Sequence, residues 1–214
     1  ICGLSKKTIT VNDIAFKIGP RINASGRMMN GKEAVDLMLA SDMTQAREKA
    51  INIDKYNEDR RELDKRITDE AVDFVDNRFN IAEHKSIVLY NETWHKGIIG
   101  IVASRLTEKY YRPAIVLTKS GGLISGSARS VNNFDVYKAI EACKDILENF
   151  GGHTYAAGLT LKEENLHEFM RRFDEISFEG IESKMMQPQI TVDAEISLNA
   201  ITPKFVQGLS LFNP

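Results

Sequence analysis

The residues best suited to chemistry form the stretch GGHTYAAG at 151–158. Two adjacent glycines can take positive φ and leave their amide groups uncovered, so a concave nest of N–H donors could hold an anion there. His153 adds a hydrogen bond, or a charge when it is protonated. The small residues at 156–158 leave room for a large substrate. We therefore predict a ligand-binding role for Gly151, Gly152 and His153.

The same stretch also has a structural interpretation. A helix that begins at the capping residue Asn133 and ends near Phe150 would place Gly151 at its C′ position, where glycine is common. That role explains one glycine, but not the second glycine and the histidine. The helix is predicted from an apolar stripe made of Phe134, Tyr137, Ile140, Cys143, Leu147 and Phe150.

A second candidate site lies in the sequence SGSARS at 125–130. Alternate side chains of a strand point to the same face, so Ser127 and Arg129 would project together. A hydroxyl beside a guanidinium forms a natural clamp for phosphate. The alternative is a polar edge strand that faces water.

A third candidate is the basic segment GPRINASGRM at 19–28, in which Gly-Pro and Ser-Gly predict turns. No acid occurs between Asp13 and Glu33, so the positive charge is not balanced locally. Arg21 and Arg27 are therefore candidates for binding phosphate, which the planar guanidinium group contacts through two parallel hydrogen bonds. The alternative is a solvated loop whose arginines pair with acids elsewhere.

The sequence HKGIIG at 95–100 predicts a turn that leads into an apolar helix. Gly97 and Gly100 lower helix stability relative to alanine, which indicates close packing or a nearby ligand. His95 either contacts substrate or caps this helix, and the sequence leaves both options open. The histidines have no partners at metal-ligand spacing, so we assign no metal ligands.

The elements that must position these groups are of mixed type. Apolar runs at 86–90 and 114–118 and at Leu159–Leu161 predict strands, and Gly121-Gly122 predicts a hairpin. A charged segment from Met43 to Arg78 carries a narrow apolar stripe. As one helix it would be about 50 Å long, which is typical of a connector between two bodies. The fold class is therefore α/β.

The composition restricts the possible functions. The chain has 214 residues, 43% of them hydrophobic, and a net charge of −2, so any nucleic-acid site must be local. Cys2 and Cys143 form no disulfide framework, which fits a reducing cytoplasm, and no apolar run is long enough to cross a membrane. The chain begins without Met and ends without a closing element, so we expect part of a longer protein.

Taken in order, GPRINASGRM, HKGIIGIVASRL, GSARS and GGHTYAAG closely resemble the RecJ-type single-strand-specific exonucleases of bacteria, in the DHH phosphoesterase superfamily. The resemblance implies a long connecting helix and a DHH-associated domain with a mixed sheet and helices on both faces. It also implies four segments: the end of a catalytic domain (1–42), the connecting helix (43–80), the DHH-associated domain (81–180), and a linker that leads into an oligonucleotide-binding region (181–214). The loose alternation of apolar and polar residues from 189 to 198 predicts a strand there.

The resemblance further implies metal-assisted hydrolysis of single-stranded DNA from its 5′ end, in DNA repair and recombination. Mn²⁺ or Mg²⁺ would be held by an N-terminal domain with an Asp-His-His signature that this chain lacks, so no metal is expected here and the isolated chain should be inactive. Ser127 and Arg129, with Arg21 or Arg27, would grip the 5′ phosphate. His153 and the amides of Gly151 and Gly152 would contact the scissile phosphate.

Two alternatives remain open. One is a related phosphodiesterase that acts on short oligonucleotides or cyclic dinucleotides, and the other is a non-catalytic nucleic-acid-binding module. Single-stranded DNA is the expected partner, and other repair proteins are possible partners. The expected location is the cytoplasm, without membrane attachment.

Overall fold

The structure, a computed structural model, describes residues 2–4 and 8–212. Residues 1, 5–7, 213 and 214 belong to the first and last predicted segments and lie outside the described residues. The helices are α1 (Val11–Asp13), α2 (Gly19–Met28), α3 (Lys32–Met38), α4 (Met43–Arg78), α5 (Ile99–Tyr110), α6 (Val136–Glu141), α7 (Leu166–Gly180) and α8 (Pro203–Ser210), and the strands are β1 (Ile87–Tyr90), β2 (Ala114–Ser120), β3 (Leu123–Arg129), β4 (Asn149–His153) and β5 (Ala156–Leu161).

The five strands form one mixed sheet in the order β1-β2-β3-β5-β4. β1 and β2 are parallel, and the other neighbouring pairs are antiparallel. Gly121 and Gly122 have φ values of 63° and 82°, which suit the tight hairpin between β2 and β3. The predicted mixed sheet is confirmed.

Each face of the sheet has its own core. On one face, α6 and α7 cover residues of all the strands except the edge strand β4, whose Phe150 packs at the margin. On the other face, α4 and α5 pack on β1 and β2, and this core includes no residue of β3, β4 or β5. The second face of those three strands is therefore left for polar side chains. No helix within the described ranges is long and apolar enough to cross a membrane.

The long helix α4 is continuous over 36 residues, about 54 Å, as predicted. Asp42 caps it by accepting a hydrogen bond from the Gln45 amide at 2.9 Å. Its first half is joined to α2 by an ion pair in which Arg21 Nε lies 2.6 Å from Asp54 Oδ1. Its second half packs on the sheet domain. The helix α4 thus contacts both α2 and the sheet domain.

The prediction of a helix that ends at Phe150 is wrong. The helix α6 ends at Glu141, a 3₁₀ turn follows, and Phe150 lies on β4. Pairing with β5 determines this conformation, because the same apolar side chains can cover the core from a strand as well as from a helix. The N-cap is Asp135, which accepts from the Lys138 amide at 3.1 Å, and not Asn133, which has a φ of 69°.

The predicted turns at 19–28 are also wrong, because this segment is the helix α2. Pro20 is the second residue of α2 and cannot donate a backbone hydrogen bond to the preceding turn. A π-helical turn, Ile14–Ile18, leads directly into this helix. Ser25 is buried and donates to the Ile22 carbonyl at 2.8 Å, so Ser-Gly does not interrupt the helix.

The strand predicted within 189–198 is absent from the described structure. Ile190 and Val192 are 91% and 73% exposed. A strand needs a neighbour for its backbone hydrogen bonds, and this segment pairs with none of the described strands. The helix α8 follows this segment, and Thr202 caps it by accepting a hydrogen bond from the Phe205 amide at 3.2 Å.

Candidate anion-binding site

A cavity of about 800 Å³ lies where α2, the start of α5 and the uncovered face of β3, β5 and β4 meet. Five chain segments line it, and they include parts of all four motifs singled out in the sequence. The lining residues are Gly26, Arg27, Met28, His95, Lys96, Gly97, Ile99, Gly100, Ser125, Gly126, Ser127, Arg129, Asn149, Phe150, Gly151, Gly158, Leu159 and Thr160.

Ser127 and Arg129 form the inner end of this cavity. They project from the same face of β3, as their spacing predicts, and Arg129 Nη1 donates to Ser127 Oγ at 3.2 Å and to the Ala128 carbonyl at 2.7 Å. These bonds fix the guanidinium without using a carboxylate. Because the serine oxygen accepts this bond, its hydroxyl proton remains available for an anion.

The first turn of α5 approaches this pair closely. A Cβ at Gly100 would lie 2.9 Å from Ser127 Oγ and 3.3 Å from Arg129 Nη2, so only glycine leaves the space open. Ile99 and Ile101 donate to the carbonyls of His95 and Ile98, but the Gly100 amide has no acceptor in the described part of the chain. A helix N-terminus of this kind favours an anion, because its amides and its dipole are both positive.

Arg27 reaches the cavity from the last turn of α2, and Arg21 does not. Arg27 Nη1 donates to the Gly97 carbonyl at 3.1 Å, and a Cβ at Gly97 would overlap the Arg27 carbonyl. Arg21 instead bonds Asp54 at 2.6 Å and the Lys17 carbonyl at 2.8 Å. The structure therefore separates the two arginines that the sequence left equivalent, and Arg21 joins α2 to α4.

His95 lines the cavity and also stabilises the turn before α5. Its Nδ1 accepts a hydrogen bond from the Gly97 amide at 3.1 Å, and its carbonyl accepts from Ile98 and Ile99. Because Nδ1 is an acceptor, the neutral ring carries its proton on Nε2, which can donate to a ligand. The prediction that His95 caps α5 is wrong, because the N-cap is Ile98 without a side-chain cap and His95 bonds the turn before the helix. Its contact with substrate stays a prediction.

The charges around the cavity are of one sign. Arg27, Lys96 and Arg129 line it, and among the described residues no aspartate or glutamate does. Burial lowers the pKa of Arg129 from its ordinary value, and the nearby charge of Arg27 lowers this pKa further. An arginine stays protonated at neutral pH, so both groups remain cations. Two cations held close together without a carboxylate on the cavity wall form a site for an anion.

Asp64 lies on α4 and pairs with two arginines outside the cavity lining. Its carboxylate accepts from Arg105 Nη2 at 2.8 Å and lies 3.8 Å from Arg60 Nη1. The pKa of Arg60 is lowered, first by burial, and the charge of Arg27 contributes to this shift. The arginine cluster therefore extends from the cavity to the long helix.

The GGH motif is placed differently from the predicted nest. Gly151, Gly152 and His153 lie on β4, the edge strand, whose amides alternate between pairing with β5 and facing the open edge. Gly151 lines the cavity. Gly152 has a φ of 153°, and a Cβ there would overlap the Ala156 carbonyl and contact Ala157, so the second glycine is needed for packing.

His153 is exposed and lies outside the cavity lining. The register aligns it with Ala156, and Ala156 with Arg129, so all three share one face of the sheet. Two strand spacings correspond to about 10 Å between the backbones of His153 and Arg129. His153 is therefore at the rim of the site, on the side of the open edge.

The residues described here do not fit a metal centre. Within 2–4 and 8–212, no group of three or more histidine, cysteine, aspartate or glutamate side chains could hold a metal ion. We therefore assign no metal-dependent step to this part of the chain.

Sequence reasoning missed Lys96, Asn149 and Thr160, which also line the cavity. The sequence predicted a helix through Asn149, and that prediction did not bring this residue near β3. Lys96 adjoins His95, but a lone lysine in a turn carries no specific signal. Only the strand register brings Asn149 and Thr160 beside Ser125.

Comparisons with known proteins agree with this architecture. Residues 83–177 match the family model described as the DHHA1 domain. The chain is 35% identical over 203 residues to the single-stranded-DNA-specific exonuclease RecJ of Bacillus subtilis, with 94% of this chain and 26% of that protein covered. For the protein of the same name from Haemophilus influenzae, the identity is 34%, with 89% of this chain and 34% of the relative covered.

A solved structure of RecJ is also similar to this chain. The crystal structure of RecJ from Thermus thermophilus in complex with Mn²⁺ superposes with a TM-score of 0.82 at 27% identity, over 94% of this chain and 29% of that chain. A structure of the same protein with Mg²⁺ gives the same TM-score. The chain spans between a quarter and about a third of the length of these relatives.

The sheet, the long helix and the matched family model define a protein that contains a DHHA1 domain. Over nearly its whole length the chain is similar to RecJ, as the sequence motifs indicated.

Proposed function

We propose that the cavity binds a phosphate of single-stranded DNA, and that the chain is the DNA-binding wall of a longer exonuclease of the RecJ type. The observation that carries the proposal is the convergence of Arg27, Arg129, Ser127 and the free Gly100 amide on one cavity without a lining carboxylate. The relatives named as exonucleases specific for single-stranded DNA supply the substrate class.

The phosphate bound at the inner end is proposed to be the 5′-terminal one. A terminal phosphate has three free oxygens and a charge between −1 and −2 at neutral pH, whereas an internal phosphodiester has two free oxygens and one charge. Two guanidinium groups, a hydroxyl and an amide match the greater charge and the third free oxygen of a terminal phosphate. The inner end therefore suits the end of a strand better than its middle.

Hydrolysis is proposed to need divalent metals held by another part of the complete protein, since the described residues offer no metal centre. Bound Mn²⁺ or Mg²⁺ would activate water and stabilise the leaving oxygen. Exposed apolar side chains on the first helices, such as Phe16 at 77% and Met43 at 81%, support a further domain packed there. His153 and Gly151 would line the open side of the cleft.

The two arginines of α2 provide a matched test. We expect Arg27→Ala to weaken binding of a 5′-phosphorylated single strand about tenfold, because a charge-assisted hydrogen bond contributes about 1.5–3 kcal/mol. Arg21→Ala should change the affinity less than twofold and lower stability by about 1 kcal/mol through the lost Asp54 pair. Fluorescence anisotropy at fixed salt, with metal omitted, measures both affinities. Equal affinity loss in the two variants would reject this assignment.

The chain by itself should show no metal-dependent nuclease activity above background. A pure preparation would be incubated with labelled single strands and Mn²⁺, and product release would be followed by gel electrophoresis. Robust digestion would place the active site within this chain and refute the proposal.

In the complete protein, faster hydrolysis of dinucleotides than of long strands would favour a phosphodiesterase of short oligonucleotides instead. The expected cytoplasmic location and repair role stay predictions.

A further inference from the structure

The strand β1 lies at the sheet edge opposite to β4 and has no neighbour on its outer side among the described strands. It pairs with β2 in parallel, and the amides of Ile87 and Asn91 donate to that side. In a parallel pair, alternate residues of a strand bond the neighbour, so the backbone groups of Val88 and Tyr90 point away from β2. These two amides and two carbonyls have no hydrogen-bond partner among the described residues.

The unpaired groups are not simply open to water. Val88 is only 7% exposed, yet its outward amide and carbonyl are unpaired. Buried backbone groups in folded proteins are almost always paired, because leaving one unpaired costs about as much as a lost hydrogen bond. A strand edge with free donors and acceptors is a template for one more strand. The outer edge of β1 therefore has the properties of a binding surface for an extended chain.

A groove runs along this edge between α4 and α7. Its main cavity has a volume of about 610 Å³, and a smaller cavity of about 220 Å³ shares Phe79, Val88 and Met170 with it. We call the two cavities together the β1 groove. The α4 side carries Phe74, which is 41% exposed although the rest of this helix surface is mostly charged. Leu166 and Met170 line the α7 side.

These walls define the side chains that an added strand would need. Such a strand would lie about 4.8 Å from β1, and its side chains would point alternately toward α4 and toward α7. Because apolar side chains stand on both walls, the segment would be apolar on both of its faces, as strands between two helical layers are.

The charges of the groove differ between its two ends. Glu70 accepts a hydrogen bond from the indole of Trp94 at 2.8 Å, which places this carboxylate at the end where β1 leaves the sheet. Asp73 follows one turn later on α4 and accepts from the Asn77 amide at 2.7 Å, and no cation forms an ion pair with it among the described residues. Arg78 lies at the other end. A cation on the ligand is therefore favoured beside Glu70 and Asp73.

We propose that the β1 groove binds an extended segment of a partner protein as an additional strand of the sheet. The segment is apolar at its centre and carries a lysine or arginine at the end beside Glu70 and Asp73. Bonds to the backbone of Val88 and Tyr90 supply affinity, and the two walls supply specificity. The edge is about 19 Å from β4, so this proposal does not depend on the phosphate site.

Hydrogen exchange of the full chain, followed by NMR, tests whether the edge is free and whether it can be filled. The probe is a capped synthetic peptide of sequence Lys-Val-Ile-Val-Ser. Without peptide, the amides of Val88 and Tyr90 should exchange about tenfold or more faster than those of Ile87 and Leu89, which β2 protects. Millimolar peptide should slow exchange at Val88 and Tyr90 about tenfold.

N-methylated peptides distinguish strand addition from simple apolar binding. Only alternate amides of an added strand point toward β1. Methylation of one alternate set should therefore abolish binding, and methylation of the other set should weaken it about threefold or less. Equal effects of the two methylation patterns would overturn the proposal, as would unchanged exchange at Val88 and Tyr90 with the unmodified peptide.

Side-chain variants test the walls and the charged end. Phe74→Ala should weaken peptide binding about tenfold, because a buried phenylalanine contributes about 1.5–3 kcal/mol. Phe178→Ala removes a phenylalanine that is 57% exposed and outside the groove, and should leave the affinity unchanged. Asp73→Lys should weaken the peptide about threefold and strengthen a version with glutamate in place of lysine. Equal affinities in Phe74→Ala and Phe178→Ala would contradict the assignment of the groove.

The same exchange data separate the proposed partner from two other occupants. If Val88 and Tyr90 are already protected without peptide at every protein concentration, the chain's own residues fill the groove. If they become protected only as the protein concentration rises, a second copy fills it. Either result would overturn the proposal of a partner segment.

Discussion

Arg129→Ala is expected to remove the preference for a 5′-phosphate. The guanidinium is half-buried, is fixed by Ser127 and Ala128, and has no carboxylate partner among the described residues. A charged hydrogen bond contributes about 1.5–3 kcal/mol, so the affinity for a 5′-phosphorylated strand should fall about 10- to 150-fold. Anisotropy titrations with phosphorylated and unphosphorylated strands of one sequence measure the effect.

The control for this experiment is the unphosphorylated strand. Arg129→Ala should weaken its binding by only a few fold, because the remaining contacts do not involve a terminal phosphate. Arg171→Ala removes an arginine from the exposed face of α7, where it pairs with Glu168 and Glu175, and should leave both affinities unchanged. Equal loss on both strands in Arg129→Ala would mean that the residue contacts DNA without recognising its end.

Gly97→Ala should lower the stability of the protein and its affinity for single strands together. Its Cβ would overlap the backbone carbonyl of Arg27, which cannot move without displacing the end of α2. Overpacking of this kind costs about 1–3 kcal/mol. The same displacement moves Arg27 out of the cavity, so the affinity for single strands should fall together with the melting temperature.

A second glycine near the end of α2 serves as the control for Gly97→Ala. A Cβ at Gly31 would lie 3.8 Å from Gly26 Cα, which is an ordinary contact, so Gly31→Ala should melt near the wild-type temperature. Urea unfolding of both variants gives the comparison. Wild-type stability of Gly97→Ala would show that α2 is not held against the turn before α5 in solution.

Local patterns in the sequence were sufficient for several elements. The charged helix from Met43 to Arg78 was predicted because its narrow apolar stripe is contained in consecutive residues. The shared face of Ser127 and Arg129 followed from the two-residue period of a strand. The hairpin between β2 and β3 was predicted from the adjacent Gly121 and Gly122 alone.

What the sequence could not predict depends on contacts between distant segments. The β4 strand exists because 149–153 pairs with 156–161, and the apolar spacing before it fits a helix equally well. The distinction between Arg21 and Arg27 depends on Asp54, which is 33 residues from Arg21 and belongs to another helix. Likewise, Ser127, Gly158 and Gly151 lie opposite one another only because β3, β5 and β4 pair in this register.

The central claim is that groups from α2, α5 and β3 form one anion site, and an NMR titration of the full chain with thymidine 5′-phosphate tests it most directly. The amides of Gly100 and Ser127 and the Nε–H signals of Arg27 and Arg129 should shift together and fit one shared Kd, while the Nε–H signal of Arg21 stays unchanged. Shifts at Arg27 and Arg129 that fit different Kd values, or no shift at either residue, would contradict the claim.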